Sequence, residues 1–133
     1  MNLVLGQSFF SPESSEVGRH LWVIVSDPSR DDAIVIVNLS TSPAPASNPL
    51  ARNDPPEVLQ GEHPSAPRPS FIRCDQARVT SAEKVEEGLG ARVLSSARPA
   101  PPSLVQKLQA TLASSPHTKN EIKDILRSQG LVP

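Results

Sequence analysis

Two apolar runs, Leu21-Trp22-Val23-Ile24-Val25 and Ala33-Ile34-Val35-Ile36-Val37-Asn38-Leu39, constrain this chain more than any other feature. Each is short, rich in β-branched residues and bounded by polar turn formers, which predicts two strands. Residues 26–32 between them suit a hairpin loop. The runs are continuously apolar rather than alternating. Both faces of the pair are therefore expected to be covered, in a barrel or in a sheet under helices. A weaker strand over residues 3–10, bent at Gly6, and extended pieces at 69–75 and 76–79 complete the expected sheet.

Helical signals come later. Thr80-Ser81-Ala82-Glu83 reads as a capping box opening a short helix that turns Val85 and Leu89 inward and stops at Gly88 or Gly90. Ser103-Leu104-Val105-Gln106 reads as a second box. Leu104, Val105, Leu108 and Leu112 then recur at helical spacing, predicting a helix over 103–113. A last helix is expected to start near Ser115, with Pro116 in its first turn, or at Thr118 with Glu121 as box partner. Ile122, Ile125 and Leu126 form its apolar face and Gly130 ends it. Residues 43–69 hold 8 of the 15 prolines and read as a long loop, broken at most by a short strand near 57–60. The expected organisation is one domain over 1–133, with the proline-rich loop inside it and a C-terminal helical segment over 103–129.

The net charge of −1 excludes a strongly basic nucleic-acid scaffold as a whole-chain property. The halves differ, however: residues 1–65 sum to −5 and residues 66–133 to +4, so a polyanion would prefer the second half. The single cysteine, Cys74, has no internal disulfide partner, which suits a reducing compartment. No apolar run approaches the roughly 20 residues that span a bilayer, and no signal peptide is apparent. A cytoplasmic protein without membrane contact is the expectation. There is no Walker loop, Gly-rich dinucleotide turn or Cys-x-x-Cys pair, and His20, His63 and His117 lack metal-ligand spacing. No cofactor and no metal are expected.

Chemistry concentrates at two strand ends. Gly18-Arg19-His20 precedes the first run, and Asn38-Leu39-Ser40-Thr41-Ser42 closes the second. Pairing as a hairpin would bring Arg19 and His20 beside Ser40 and Thr41. A cation, an imidazole and hydroxyls at one spot can hold a phosphate and move a proton. The plainer alternative is a satisfied strand end, with Arg19 solvated and the hydroxyls starting a turn.

These residues resemble a family signature. Gly18-Arg19-His20-Leu21-Trp22-Val23-Ile24-Val25-Ser26 is similar to the Gly-Arg-Arg-Pro-x-x-Val-Val-Ser segment of PemK/MazF-like toxins. Ile34-Val35-Ile36-Val37-Asn38-Leu39-Ser40-Thr41 resembles their next strand, which ends in Pro-Ile/Leu-Thr-Ser/Thr. The segment Ser70-Phe71-Ile72-Arg73-Cys74-Asp75-Gln76-Ala77-Arg78-Val79 resembles their serine-containing strand followed by Asp-Gln-x-Arg-x-Val, and Gly90 falls where they often have Leu-Gly. The resemblance spans roughly residues 6–113, interrupted by the proline-rich loop, with the helix over 115–129 as an addition. It departs at His20 and Leu21, which replace Arg and Pro, at Ser40, which replaces Thr, and at Asn38, which replaces Pro.

The resemblance implies an α+β fold with an SH3-like β-barrel and C-terminal helices, usually a homodimer. It implies sequence-selective, metal-independent cleavage of single-stranded RNA, checked by a cognate antitoxin that fills the RNA groove. The family's catalytic Arg and Thr fall on Arg19 and Ser40. His20 and Thr41 beside them, with His63 and Arg73 on the groove wall, are the expected substrate contacts, and Asp75 is a further candidate for that wall. His20 suits proton transfer better than a guanidinium does. The alternative is a catalytically inert barrel that serves as a protein-interaction module.

Overall fold

The computed structural model describes residues 3–12, 20–40, 58, 61–66 and 70–133. The two apolar runs pair as the sequence predicts. Leu21–Ile24 (β2) lies antiparallel to Ala33–Ser40 (β3), with Leu21 opposite Leu39 and Ile24 opposite Ile36. Ser8–Phe10 (β1) pairs with the far side of β2 after a bend at Gly6, whose φ of 89° suits glycine. Phe71–Ser81 (β4) pairs with β3, and Ser95–Ala97 (β5) returns beside β1. The result is a five-stranded antiparallel sheet in the order β4-β3-β2-β1-β5. Among the described residues the sheet is not closed, because β4 and β5 are its edges.

Helices cover the faces instead. Ala82–Gly90 (α1), Pro102–Ser114 (α2) and Asn120–Ser128 (α3) complete the α+β architecture. Strand alternation sends Leu21 and Val23 to one face and Trp22 and Ile24 to the other. The first pair joins Val35, Val37, Leu104, Leu108, Leu112, Ile122 and Leu126 in the larger core. The second joins Phe9, Ile34, Ile36 and Val85 of α1 in a smaller one. That double burial is why the strands read as unbroken apolar runs. The last helix is therefore part of the main core, with Ile122 and Leu126 buried in it. Its end also fastens the β2–β3 loop: Gln129 accepts the Asp27 N–H at its Oε1 (2.8 Å) and an Arg30 guanidinium N–H at its carbonyl (2.9 Å).

Helix ends differ from expectation in physical detail. Thr80 and Ser81 pair with Ile34 and Ala33, so β4 runs through Thr80 and the cap shifts to Ser81, whose Oγ accepts the Lys84 N–H at 3.2 Å. α2 starts at Pro102 rather than at a Ser103 box, because the Pro101 carbonyl already accepts the Leu104 and Val105 N–H groups. α3 has no side-chain cap, so the Ser115 and Thr118 starts give way to Asn120. Gly130 ends it as expected. At φ 69° its N–H reaches the Arg127 carbonyl (2.9 Å), and the Leu131 N–H reaches that of Leu126 (3.0 Å). The same motif closes α1, yet there the left-handed position is Arg92, φ 61°.

The extended pieces expected at 69–75 and 76–79 are one strand with an irregularity. Ile36 faces Arg78 and Asn38 faces Arg73, so Val37 stands opposite four residues of β4, 74–77. Such an insertion re-aims side chains. Within the stretch expected as a proline-rich loop, Val58 bridges to Ser70, where a short strand was expected. Apart from Val58 and residues 61–66, residues 43–69 lie outside the described ones. Among the described residues no helix is long and apolar enough to cross a membrane.

Candidate functional site

The β2–β3 register sets the site. With Leu21 opposite Leu39, the start of β2 and the end of β3 share one rim, where His20 and Ser40 are the next residues out. His20 is half-buried and tied to the end of β1: the Ser11 N–H donates to its carbonyl at 3.0 Å. Ser40 ends β3 opposite Phe71. Arg19 and Thr41 lie outside the described residues.

Beside this rim the β4 insertion opens a hollow of about 550 Å³ between β2, β4 and the α2–α3 joint. His20, Trp22, Asn38, Asp75, Gln76, Arg78 and Lys119 line it. Strand pairing and the irregularity of β4 explain the set. Trp22 and Asn38 are cross-strand partners, and the extra residues of β4 bring Gln76 against Asn38. The Asn38 Nδ2 donates to Gln76 Oε1 at 2.6 Å. Asn38 is 1% exposed, and among the described residues its Oδ1 has no hydrogen-bond partner. A buried acceptor of that kind is costly unless something fills it. Arg78 is exposed and lies over Trp22, its guanidinium carbon 4.7 Å from the ring centre. A second hollow, about 450 Å³, shares His20, Trp22 and Arg78 and is walled by Phe9, Val85 and Leu94.

Arg73 does not stand on the wall as a free substrate contact. It is 8% exposed, and its Nε and Nη2 bind both carboxylate oxygens of Asp75 at 3.0 and 2.9 Å. Asp75 is the residue that reaches the hollow. Hydrogen bonding from Arg73 holds its carboxyl below the usual carboxylate range. Burial opposes that shift, and the charges of Arg73 and His117 reinforce it.

His63 is also elsewhere. It is fully buried and ties the 61–66 segment to β1. Its Nδ1 accepts the Ser65 N–H and its Nε2 meets Ser8 Oγ, both at 3.0 Å. Ser8 Oγ in turn donates to the Gly6 carbonyl, which leaves His63 Nε2 as the donor and the ring neutral. Burial lowers its pKa in the same direction.

Sequence reasoning missed Gln76, Arg78 and Lys119 as lining residues. Residues 75–78 line the hollow one after another because β4 is irregular there, so no period-2 signal marks the first two. Lys119 carries no local signal, since only tertiary packing brings it there. Among the described residues no three His, Cys, Asp or Glu side chains gather as a metal-binding group. No protein-family model matches the chain, and no curated protein matches it.

Proposed function

We propose that this protein is a metal-independent endoribonuclease of the PemK/MazF-like toxin kind, acting on single-stranded RNA. One observation carries the reading: the β2–β3 register, which sets His20 and Ser40, the sequence neighbours of Arg19 and Thr41, at one rim beside a polar hollow. The proposal extends to the fold. A four-strand meander whose last partner, β5, returns to β1 suits an SH3-like barrel left open.

The chemistry follows from the residue types. The ribose 2′-oxygen attacks phosphorus and the bond to the 5′-oxygen breaks, leaving a 2′,3′-cyclic phosphate and a 5′-hydroxyl. His20 carries the proton from the nucleophile toward the leaving oxygen. Arg19 stabilises the charge gathered on the phosphate, and Ser40, with Thr41 beside it, donates to a phosphate oxygen. Arg78 and Lys119 add positive charge along the approach. A cognate antitoxin covering the groove and a homodimer belong to the same proposal.

The test is incubation of purified protein with long single-stranded RNA, with and without EDTA. Discrete cleavage that persists in EDTA and disappears in Arg19→Ala supports the reading. Intact RNA in every sequence context refutes it and leaves the interaction module.

A further inference from the structure

The hollow beside the rim holds three features that the cleavage chemistry does not use. The first is the Arg78–Trp22 stack, in which Trp22 is 6% exposed and Arg78 lies outermost. A guanidinium laid on a ring presents a second, outward face that is planar and cationic. Unstacked bases of single-stranded RNA settle on such planes as they do on aromatic rings. The chain has only 4 aromatic residues, three Phe and one Trp, so an arginine plane supplies what rings cannot. The second feature is the Asn38–Gln76 amide pair. Its bond fixes the half-exposed Gln76 against the buried Asn38, whose Oδ1 has no hydrogen-bond partner among the described residues. The third is Lys119, carried there by the α2–α3 joint.

We infer that this hollow is a nucleobase subsite: Arg78, backed by Trp22, is the stacking plane, Gln76, held in place by the buried Asn38, reads the base edge, and Lys119 holds the adjoining phosphate. The inference rests on the ribonuclease reading and deepens it, by making the β4 insertion and the C-terminal joint the source of sequence selectivity. A side-chain amide fixed by a neighbour offers its donor and acceptor in a set order, which matches one base edge better than the other three.

Four labelled 2′-O-methyl decamers, one for each base, test this by fluorescence anisotropy without being cleaved. Wild-type protein is expected to prefer one of the four. Arg78→Lys keeps the charge and loses the plane, so affinity should fall roughly tenfold or more on every decamer, the scale of one lost base stack. Gln76→Ala should level the preference between decamers. Lys119→Ala should weaken all four and reduce the salt slope by about one counterion, while Lys123→Ala, within α3, leaves the affinities and the preference unchanged. Arg78 is exposed and Gln76 half-exposed, so these variants should fold, as circular dichroism checks. Wild-type binding that Arg78→Lys and Gln76→Ala leave unaltered overturns the subsite alone. Failure of the wild type to bind any decamer overturns the subsite and the ribonuclease reading together.

Discussion

His63→Ala separates a structural histidine from a substrate contact. The ring is fully buried and joins two segments through hydrogen bonds of 3.0 Å at each nitrogen. Truncation strips the Ser65 N–H of its acceptor and Ser8 Oγ of one donor, about 1 kcal/mol for each bond. It also leaves a ring-sized void under β1, which adds roughly 1–2 kcal/mol. The expected loss is about 3–4 kcal/mol, a fall in Tm on the order of 10 °C for a chain of this size. A pH signature accompanies it. Burial lowers the folded pKa of His63 below its unfolded value of about 6.5, so the unfolded chain binds the proton first. Stability is complete above about pH 6.5 and declines as pH drops toward the lowered folded value. The variant should lose that decline. Thermal melts at pH 7.5 and 5.5 measure both effects, and decamer binding at low temperature measures ligand contact. A Tm within about 2 °C of wild type, together with weakened binding, would refute the buried assignment.

Further outcomes follow from individual residues. Arg92→Gly relieves a left-handed residue at the end of α1 and should stabilise the fold by about 0.5–1 kcal/mol in urea unfolding. Gly88→Ala should destabilise it, because a Cβ there would sit 2.8 Å from Leu94 Cδ1, and the same melts would show an unchanged Tm if that contact yields. The Arg73–Asp75 pair contributes stability above an unfolded carboxylate pKa of about 4 and loses it as pH falls through the lowered folded value. Asp75→Asn should therefore flatten acid unfolding below pH 4, and an unchanged acid limb would count against the pair. Leu108→Ala removes a fully buried side chain between α2 and the sheet and should cost about 2–5 kcal/mol by the same assay.

The strand pair and the helix faces were legible because their signals are local. Unbroken β-branched runs foretold burial on both faces, and Leu104, Leu108 and Leu112 foretold the buried side of α2. Gly130 was legible for the same reason, since a left-handed closing residue is a glycine position. The caps were not, because tertiary pairing outweighs a tetrapeptide. Ala33 and Ile34 hold Ser81 and Thr80 in β4, and two prolines start α2 before Ser103 is reached. No Gly or Pro marks residues 74–77, so the insertion that opens the hollow left no trace in the sequence. His63 stands in a proline-rich stretch that reads as surface, and only its bonds to Ser8 and Ser65 explain its burial. At the rim, the register placed His20 and Ser40 where the hairpin required, while Arg19 and Thr41 lie outside the described residues. Arg73 and Asp75 were both expected on the wall, but the two bond to each other, and of the pair Asp75 lines the hollow.

End-group chemistry of cleaved RNA tests the central claim most directly. Fragments produced in EDTA should accept a labelled phosphate at their 5′ ends without prior phosphatase treatment, because attack by the 2′-oxygen leaves a free 5′-hydroxyl. Fragments that need phosphatase first carry 5′-phosphates, and would contradict a mechanism built on the 2′-oxygen and the Arg19–Ser40 rim.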